Sequence, residues 1–306
     1  MKGLERLTNT ELSIWVQQAK TQTVRGKVAD RIPQMAVANP DWFAVHIYCA
    51  SRDYSLGDTA CAFPLMSAIK PFSLLYLLEL LEAETVFQWV GVEPSDAAFN
   101  SLKQLVADNG RPRNPMINSG AITLADKLPG KNALRRTQNL CQWLNDLAGC
   151  QLYLDEVMLA SVRSIGSQTN HAIAYYLAQN SYINNLELAI DTYEHICSLS
   201  CKVEDLALLG KILAFESAIK SQNRQIVNAL MLTCGLYEAS AQLAVQVGIP
   251  MKSGISGALL GVIPGEGAIA LYSPPLDSVG NSVAAIAFIE TLSQNLQLSI
   301  FGNLHS

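Results

Sequence analysis

The sequence predicts a composite α/β (α+β) fold, in which an antiparallel sheet flanked by helices carries an inserted all-helical part. Segments rich in β-branched and aromatic residues occur near both ends of the chain, which is typical of strands. The middle, from about residue 99 to residue 232, instead repeats its apolar residues at helical spacing. We expect the terminal strands to pair into one sheet, with the helical segment inserted between its two halves.

Composition excludes several classes of protein. With 306 residues, 50% apolar and 15% charged, the chain is neither disordered nor fibrous. A net charge of −5 and the lack of a basic stripe argue against nucleic-acid binding. Charges throughout the first dozen residues argue against a secretory signal, and no apolar run is long enough to predict a membrane span. Seven cysteines without a CxxC pair indicate free thiols in a cytoplasmic protein.

The first elements lead to a buried helix. Residues 11–20 have the pattern of an amphipathic helix, and residues 42–50 that of a strand. A charged, glycine-bearing turn then leads into a second strand. Residues 67–81 are apolar and rich in leucine, with Pro71 in the first turn, where its missing N–H costs nothing. Ser67 is therefore expected at the very start of a buried helix.

The later elements are helices, one polar loop and a second group of strands. Residues 111–122, which are dense in proline, asparagine and glycine, predict a loop. Two or three strands are expected after residue 248, followed by a helix over residues 282–298. Helical periods occur over residues 135–148, 171–179, 186–199, 203–215 and 224–232. We expect one unit over residues 1–306, with a sheet-and-helix part at about 1–75 and 235–306 and a helical part at about 76–234.

Two short motifs carry chemistry. Ser67 and Lys70 form an S-x-x-K motif, and the i, i+3 spacing places both side chains on one helix face. Burial lowers the pKa of a lysine, so Lys70 could help to activate Ser67 as a nucleophile. Alternatively, Ser67 caps the helix and Lys70 extends its ammonium to solvent.

The second motif is Lys252-Ser253-Gly254, a K-[ST]-G triplet on a predicted strand. Together with S-x-x-K it marks serine β-lactamases and penicillin-binding proteins, in which the strand lies beside the serine. Gly254 would allow close approach of the backbone. The alternative is an ordinary edge strand and turn.

Longer segments decide between families. From about residue 28 to residue 289 the chain resembles serine-dependent glutaminases, which have a serine β-lactamase-like fold. The segments that carry the resemblance are VGVEPSDAAFNSL, RPRNPMINSGAI, TNHAIAYYLA, NALMLTCGLYE, GIPMKSGISG and SPPLDSVGNS.

The resemblance implies roles for single residues. Ser67 would attack the side-chain amide carbon of L-glutamine, with Lys70 as its partner and Tyr237 of the CGLY motif in proton transfer. The backbone N–H of Ile255, where the family usually has valine, would complete an oxyanion hole with that of Ser67.

Four further residues match substrate-binding positions by the same resemblance: Asn118, Asn170, Tyr193 and Lys252. Each of the first three also has a structural alternative. Asn118 could brace its loop, Asn170 could be a helix N-cap, and Tyr193 could be a core aromatic residue.

Two departures from the family pattern concern recognition of the amino-acid end. Arg31 stands where the family has a substrate-contacting tyrosine, and Val162 follows Ser161 where the family has a substrate-binding glutamate. If both line the pocket, its charge becomes more positive by about two, and a free α-amino group is less well recognised. The alternative is that Asp155 or Glu156 folds back and restores the anion.

The expected function is hydrolysis of L-glutamine to L-glutamate and ammonia through a serine acyl-enzyme, by a cytoplasmic homodimer or homotetramer. No metal, nucleotide or flavin is implied. One alternative is the same acyl transfer on another small amide, because of Arg31 and Val162. Another is a non-catalytic binding protein on this fold. A β-lactam-directed enzyme is disfavoured, since NPMIN and CGLY belong to the glutaminase pattern.

Overall fold

The structure is a computed structural model that describes residues 3–215 and 218–302. Its strands are β1 (Lys27–Val28), β2 (Ala44–Cys49), β3 (Asp53–Gly57), β4 (Phe63–Pro64), β5 (Tyr153–Leu154), β6 (Leu199–Cys201), β7 (Met251–Ser253), β8 (Ala258–Ile263), β9 (Gly267–Tyr272) and β10 (Pro275–Leu276). Its helices are α1 (Asn9–Lys20), α2 (Pro33–Ala36), α3 (Lys70–Leu80), α4 (Ala83–Trp89), α5 (Leu102–Ala107), α6 (Asn118–Lys127), α7 (Ala133–Ala148), α8 (Glu156–Ser164), α9 (Gln168–Gln179), α10 (Leu186–Cys197), α11 (Val203–Ala214), α12 (Ser221–Cys234), α13 (Ser240–Gln246) and α14 (Val283–Leu296). Short 3₁₀ turns cover Leu4–Arg6, Thr23–Arg25, Met66–Ile69 and Tyr237–Ala239.

The main sheet joins the two ends of the chain, as predicted. Its five antiparallel strands lie in the order β3-β2-β9-β8-β7. β2 from the N-terminal part pairs with β9 from the C-terminal part, with Val45 opposite Leu271. Two smaller sheets, β1-β10 and β4-β6-β5, were not predicted, because strands of two or three residues have no detectable period.

Both faces of the main sheet are buried. On β9, Ile269 and Leu271 belong to the apolar cluster that includes α1 and α14, whereas Ala268 and Ala270 belong to the cluster on the opposite face. Helix α11 packs on this second face. Gly210 allows the close approach, since a Cβ there would lie 2.6 Å from the Ala268 Cβ.

Two predicted features need correction. Helix α11 falls within the predicted helical part but packs against the sheet. The loop predicted over residues 111–122 ends at Ile117, because α6 begins at Asn118. The Asn114 side chain accepts the backbone N–H groups of Met116 and Ile117, which closes the loop and orders the chain ahead of the helix. None of the helices in the described ranges is long and apolar enough to cross a bilayer.

Candidate active site

Ser67 lies on a tight turn between β4 and α3. The turn is 3₁₀ (Met66–Ile69), and α3 begins at Lys70 with Pro71 in its first turn. Met66 has a φ of 48°, an uncommon conformation for a non-glycine residue, and such strain concentrates at functional sites. Ser67 lies inside this turn and is not an N-cap residue, since the N-cap is Leu65 for the 3₁₀ turn and Ile69 for α3. Capping therefore does not account for this serine.

Lys70 is fully buried, so the alternative of an ammonium extended to solvent is wrong. Its Nζ donates to the carbonyl oxygen of Met116 at 3.1 Å and to Oδ1 of Asn118 at 2.8 Å. Burial lowers the pKa of Lys70 to about 8. A substantial neutral fraction of this lysine therefore exists close to physiological pH.

Asn118 is the centre of a polar network. Its Oδ1 also accepts the Tyr193 hydroxyl at 3.0 Å, and its Nδ2 donates to Oδ1 of Asn170 at 3.0 Å. Asn170 is the third residue of α9, whose N-cap is Ser167, so the predicted N-cap role of Asn170 is wrong. Burial raises the pKa of Tyr193 well above its usual value, which keeps its hydroxyl protonated as a donor.

Tyr237 has its hydroxyl at the junction of the two motifs. Its backbone φ is 57°, so a second strained residue lies at the site. Burial raises the pKa of Tyr237 to about 12, although contacts of its hydroxyl with Ser67 and Ser253 oppose the rise. Gly254 brings β7 against the Ser67 turn, since a Cβ there would lie 2.5 Å from the Leu65 carbonyl oxygen. The predicted approach of K-S-G to S-x-x-K is thus present.

Lys252 lies behind Tyr237. Its Nζ is buried, donates to the carbonyl oxygens of Gly235 at 2.9 Å and Ser253 at 2.6 Å, and lies 4.6 Å from the centroid of the Tyr237 ring. Burial, followed by the charge of Lys70, lowers the pKa of Lys252. The Lys252 ammonium contacts the protein rather than the cavity.

Two backbone N–H groups next to Ser67 are free to donate. Neither the Ser67 N–H nor the Ile255 N–H has a hydrogen-bond partner within residues 3–215 and 218–302. Ser67 and Ile255 both line the same cavity. Unpaired N–H groups in such a place are the donors that an oxyanion requires.

A cavity of about 200 Å³ collects most of the predicted residues. Its volume is below the ~300–1,000 Å³ of pockets for drug-sized ligands, which suits a small substrate. Lys70, Tyr237 and Lys252 are not on its walls and lie behind them. The wall residues are Ala29, Arg31, Ile32, Met35, Met66, Ser67, Phe99, Asn100, Asn118, Val162, Ile165, Ser167, Asn170, Tyr193, Glu194, Cys197 and Ile255.

The charged groups of the cavity differ from those expected. Arg31 and Val162 both lie on its walls, which was the condition for their effect on the charge of the pocket. The one carboxylate among the described wall residues is Glu194, which the sequence analysis missed. Its position directly after Tyr193 was the available signal. Asp155 and Glu156 do not line this cavity: Asp155 caps α8 by accepting the Met158 N–H at 2.9 Å, and Glu156 is exposed.

Cys197 is the second wall residue with chemistry that was not expected. Burial raises the pKa of its thiol to about 11, although the nearby Lys70 opposes the rise. The thiol is therefore protonated at neutral pH and is a poor nucleophile. Over the part of the chain that the structure describes, no group of three or more His, Cys, Asp or Glu side chains could hold a metal ion.

Comparison with known proteins identifies the class of protein. The family model described as Glutaminase matches residues 26–301. A glutaminase of Synechocystis sp. is 40% identical over 292 residues, which cover 94% of this chain and 89% of that protein. The solved structure of the probable glutaminase ybaS has a TM-score of 0.90 and 32% identity, covering 97% of this chain and 100% of that one.

A further structure shows a covalent complex. It contains the Bacillus subtilis glutaminase YbgJ joined to 5-oxo-L-norleucine, formed by reaction of that protein with 6-diazo-5-oxo-L-norleucine. Its TM-score is 0.86 at 29% identity, covering 95% of this chain and 99% of that one.

The fold is that of the β-lactamase-like proteins, with antiparallel sheets flanked by helices, as predicted. Within that class the chain belongs to the glutaminase family. It is an amidohydrolase that converts L-glutamine and water to L-glutamate and ammonia.

Proposed function

We propose that glutamine hydrolysis proceeds here through an acyl-enzyme on Ser67. The Ser67 Oγ attacks the side-chain amide carbon, and the tetrahedral oxyanion accepts hydrogen bonds from the N–H groups of Ser67 and Ile255. Collapse of this intermediate breaks the C–N bond and releases ammonia. Water then attacks the acyl-enzyme, and the second collapse releases glutamate and restores the serine. The two unpaired N–H groups beside Ser67 are the observation that carries the proposal.

Lys70 is the base that we propose for the Ser67 proton. A neutral amine has two N–H bonds and one lone pair. The two acceptors around Nζ, the Met116 carbonyl and Asn118 Oδ1, use both N–H bonds of the neutral form. The lone pair is then left for the Ser67 proton, and the i, i+3 spacing places Ser67 and Lys70 on the same face.

Tyr237 is the residue that we propose as proton donor to the leaving ammonia. Its pKa of about 12 keeps the hydroxyl protonated, so it can give its proton to the departing nitrogen and regain one from Lys70, which holds the proton taken from Ser67. Lys252 takes a positioning role, because its Nζ lies against the Tyr237 ring and donates to the carbonyl oxygens of Gly235 and Ser253. The network of Asn118, Asn170 and Tyr193 holds the substrate.

Labelling with 6-diazo-5-oxo-L-norleucine tests the nucleophile. We expect one equivalent of covalent label, mapped to Ser67 by peptide mass spectrometry. Cys197→Ala is the matched control, since it removes the other nucleophilic side chain of the cavity wall and should still be labelled. Label on Cys197, or labelling of Ser67→Ala at the wild-type rate, would show that the serine mechanism is wrong.

We propose in addition that the enzyme is a cytoplasmic homodimer or homotetramer. The seven cysteines are all unpaired, which favours a reducing compartment. The oligomer is implied by the family resemblance. Light scattering of the purified protein tests it, and a mass of one chain of 33.2 kDa would contradict it.

A further inference from the structure

The substrate end of the cavity has to receive an α-ammonium and an α-carboxylate, because glutamine is a zwitterion. Val162 cannot pair with an ammonium, and neither Asp155 nor Glu156 reaches the walls. Among the described wall residues the charged side chains are Arg31, which is exposed at the surface, and Glu194, which is buried. Glu194 is thus the available anion.

Glu194 is a wall residue of the cavity in which we propose that the substrate binds. It directly follows Tyr193 on α10, and the Tyr193 hydroxyl donates to Asn118. Cys197, on the next turn of α10, lines the same cavity. The residue is only 9% exposed, so a charge on it is poorly solvated by water. Glu194 lines both the Ser67 cavity and a more open groove with His171 and Asp191, and the Ser67 cavity is the one in which a substrate cation can reach it.

The protein itself satisfies this carboxylate poorly. Within the described ranges its side chain accepts no hydrogen bond, and its ion pair with Arg163 has an Nε–Oε2 distance of 3.8 Å. Arg163 is engaged elsewhere, since its Nη2 contacts Asp191 closely. Burial raises the pKa of Glu194, the charges of Arg163 and His171 oppose this rise, and Asp191 adds to it. A further cation at Glu194 would stabilise its ionised form.

We propose that Glu194 binds the α-ammonium of the substrate, and that the enzyme therefore selects amides of free α-amino acids. The inference rests on the proposed function, because it assumes that glutamine occupies this cavity with its amide at Ser67. Arg31, the other charged residue among the described wall residues, is the cation for the α-carboxylate. The inference reverses the expectation that loss of the family glutamate weakens recognition of the amino group.

Comparison of glutamine with glutaramic acid, the same molecule without its amino group, tests the inference. We expect the wild type to prefer glutamine in kcat/KM by at least about tenfold, the lower range for a hydrogen bond to a charged group. Glu194→Gln keeps the shape and removes the charge. It should lower kcat/KM for glutamine by about 10–100-fold and leave glutaramic acid within about threefold of the wild type.

Glu187→Gln is the matched control, because Glu187 is exposed on the same helix and lines the open groove beside Glu194 but not the Ser67 cavity. Its substrate preference should equal that of the wild type. Glu194→Asp provides a second test if Glu194→Gln does not fold. Its shorter side chain should reduce the preference for glutamine over glutaramic acid without changing kcat/KM for glutaramic acid.

Two results would overturn the inference: a wild-type preference below about tenfold, or equal losses for both substrates in the Glu194 variants, which would mark Glu194 as structural. Failure of the underlying mechanism looks different. In that case Ser67→Ala would still release ammonia, or the wild type would release none from glutamine.

Discussion

Placing a carboxylate at position 118 is a direct test of Lys70 as the base. Asn118→Asp is nearly isosteric, and it puts a negative charge where Oδ1 now lies 2.8 Å from the Lys70 Nζ. The new charge stabilises the ammonium form of Lys70. Because a base acts only in its neutral form, activity should be present above the pKa of Lys70 and lost as the pH falls through it.

The size of the effect follows from the geometry. Two unit charges about 3 Å apart attract by about 5.5 kcal/mol at an effective dielectric constant of about 20. If burial of the new carboxylate cancels half of this, about 2.7 kcal/mol remains, which corresponds to about two pKa units. The pKa of Lys70 would then rise from about 8 to about 10. At pH 7 the neutral fraction would fall from about 10% to about 0.1%, roughly a hundredfold loss.

The assay is ammonia release from glutaramic acid, which has no amino group to titrate, measured as kcat/KM between about pH 6 and pH 11, since kcat/KM reports the groups of the free enzyme and the free substrate. The wild-type value should rise tenfold per pH unit and level off near pH 8, whereas that of Asn118→Asp should level off near pH 10. Asn114→Asp is the matched control: it adds the same charge four residues earlier, in the loop ahead of α6, where its Oδ1 faces the N–H groups of Met116 and Ile117. Its kcat/KM should still level off near pH 8. If kcat/KM of Asn118→Asp is lower at every pH but also levels off near pH 8, Lys70 is not the base.

Three further substitutions separate chemistry from positioning. Ser67→Ala should reduce turnover by about 10⁴–10⁶-fold with an unchanged melting temperature, and retention of more than about a tenth of the ammonia release would exclude the serine mechanism. Tyr237→Phe should lower kcat by about 10²–10⁴-fold with little change in KM, whereas a normal kcat with a raised KM would make Tyr237 a binding residue. Gly254→Ala should lower both the melting temperature and kcat, because its Cβ would lie 2.5 Å from the Leu65 carbonyl oxygen. A fully active, equally stable alanine variant would contradict the close contact between β7 and the Ser67 turn.

The catalytic end of the site could be predicted because it depends on local geometry. The i, i+3 relation of Ser67 and Lys70 holds in any helix turn. The apolar runs after residue 248, which are separated by a glycine-bearing turn, similarly predict the neighbouring strands β8 and β9. The contact between Lys70 and Asn118 joins residues 48 positions apart and was not predicted, since the family resemblance gave Asn118 only as a substrate-binding residue.

The side-chain position of Lys252 could not be predicted from its motif. The motif predicts a lysine beside the serine, but its side chain could point into the cavity or under the Tyr237 ring. The choice depends on the Gly235 carbonyl, which accepts the Lys252 ammonium from a segment 17 residues away. No sequence period encodes such an acceptor, because it is supplied by the packing of one irregular turn against a strand.

The recognition end could not be predicted for a related reason. Its charged groups lie on segments that meet only in the folded chain: Arg31 precedes α2, Val162 is on α8 and Glu194 is on α10. A carboxylate can therefore be supplied by α10 instead of α8 without change at Ser67, provided that both walls face the same cavity. With Glu194 counted, the wall has one cation and one anion, the complement of a zwitterionic amino acid, whereas Arg31 and Val162 alone indicated an unopposed positive charge. The charge pattern of the assembled cavity, rather than the residue type at one aligned position, thus determines which amide the enzyme should prefer.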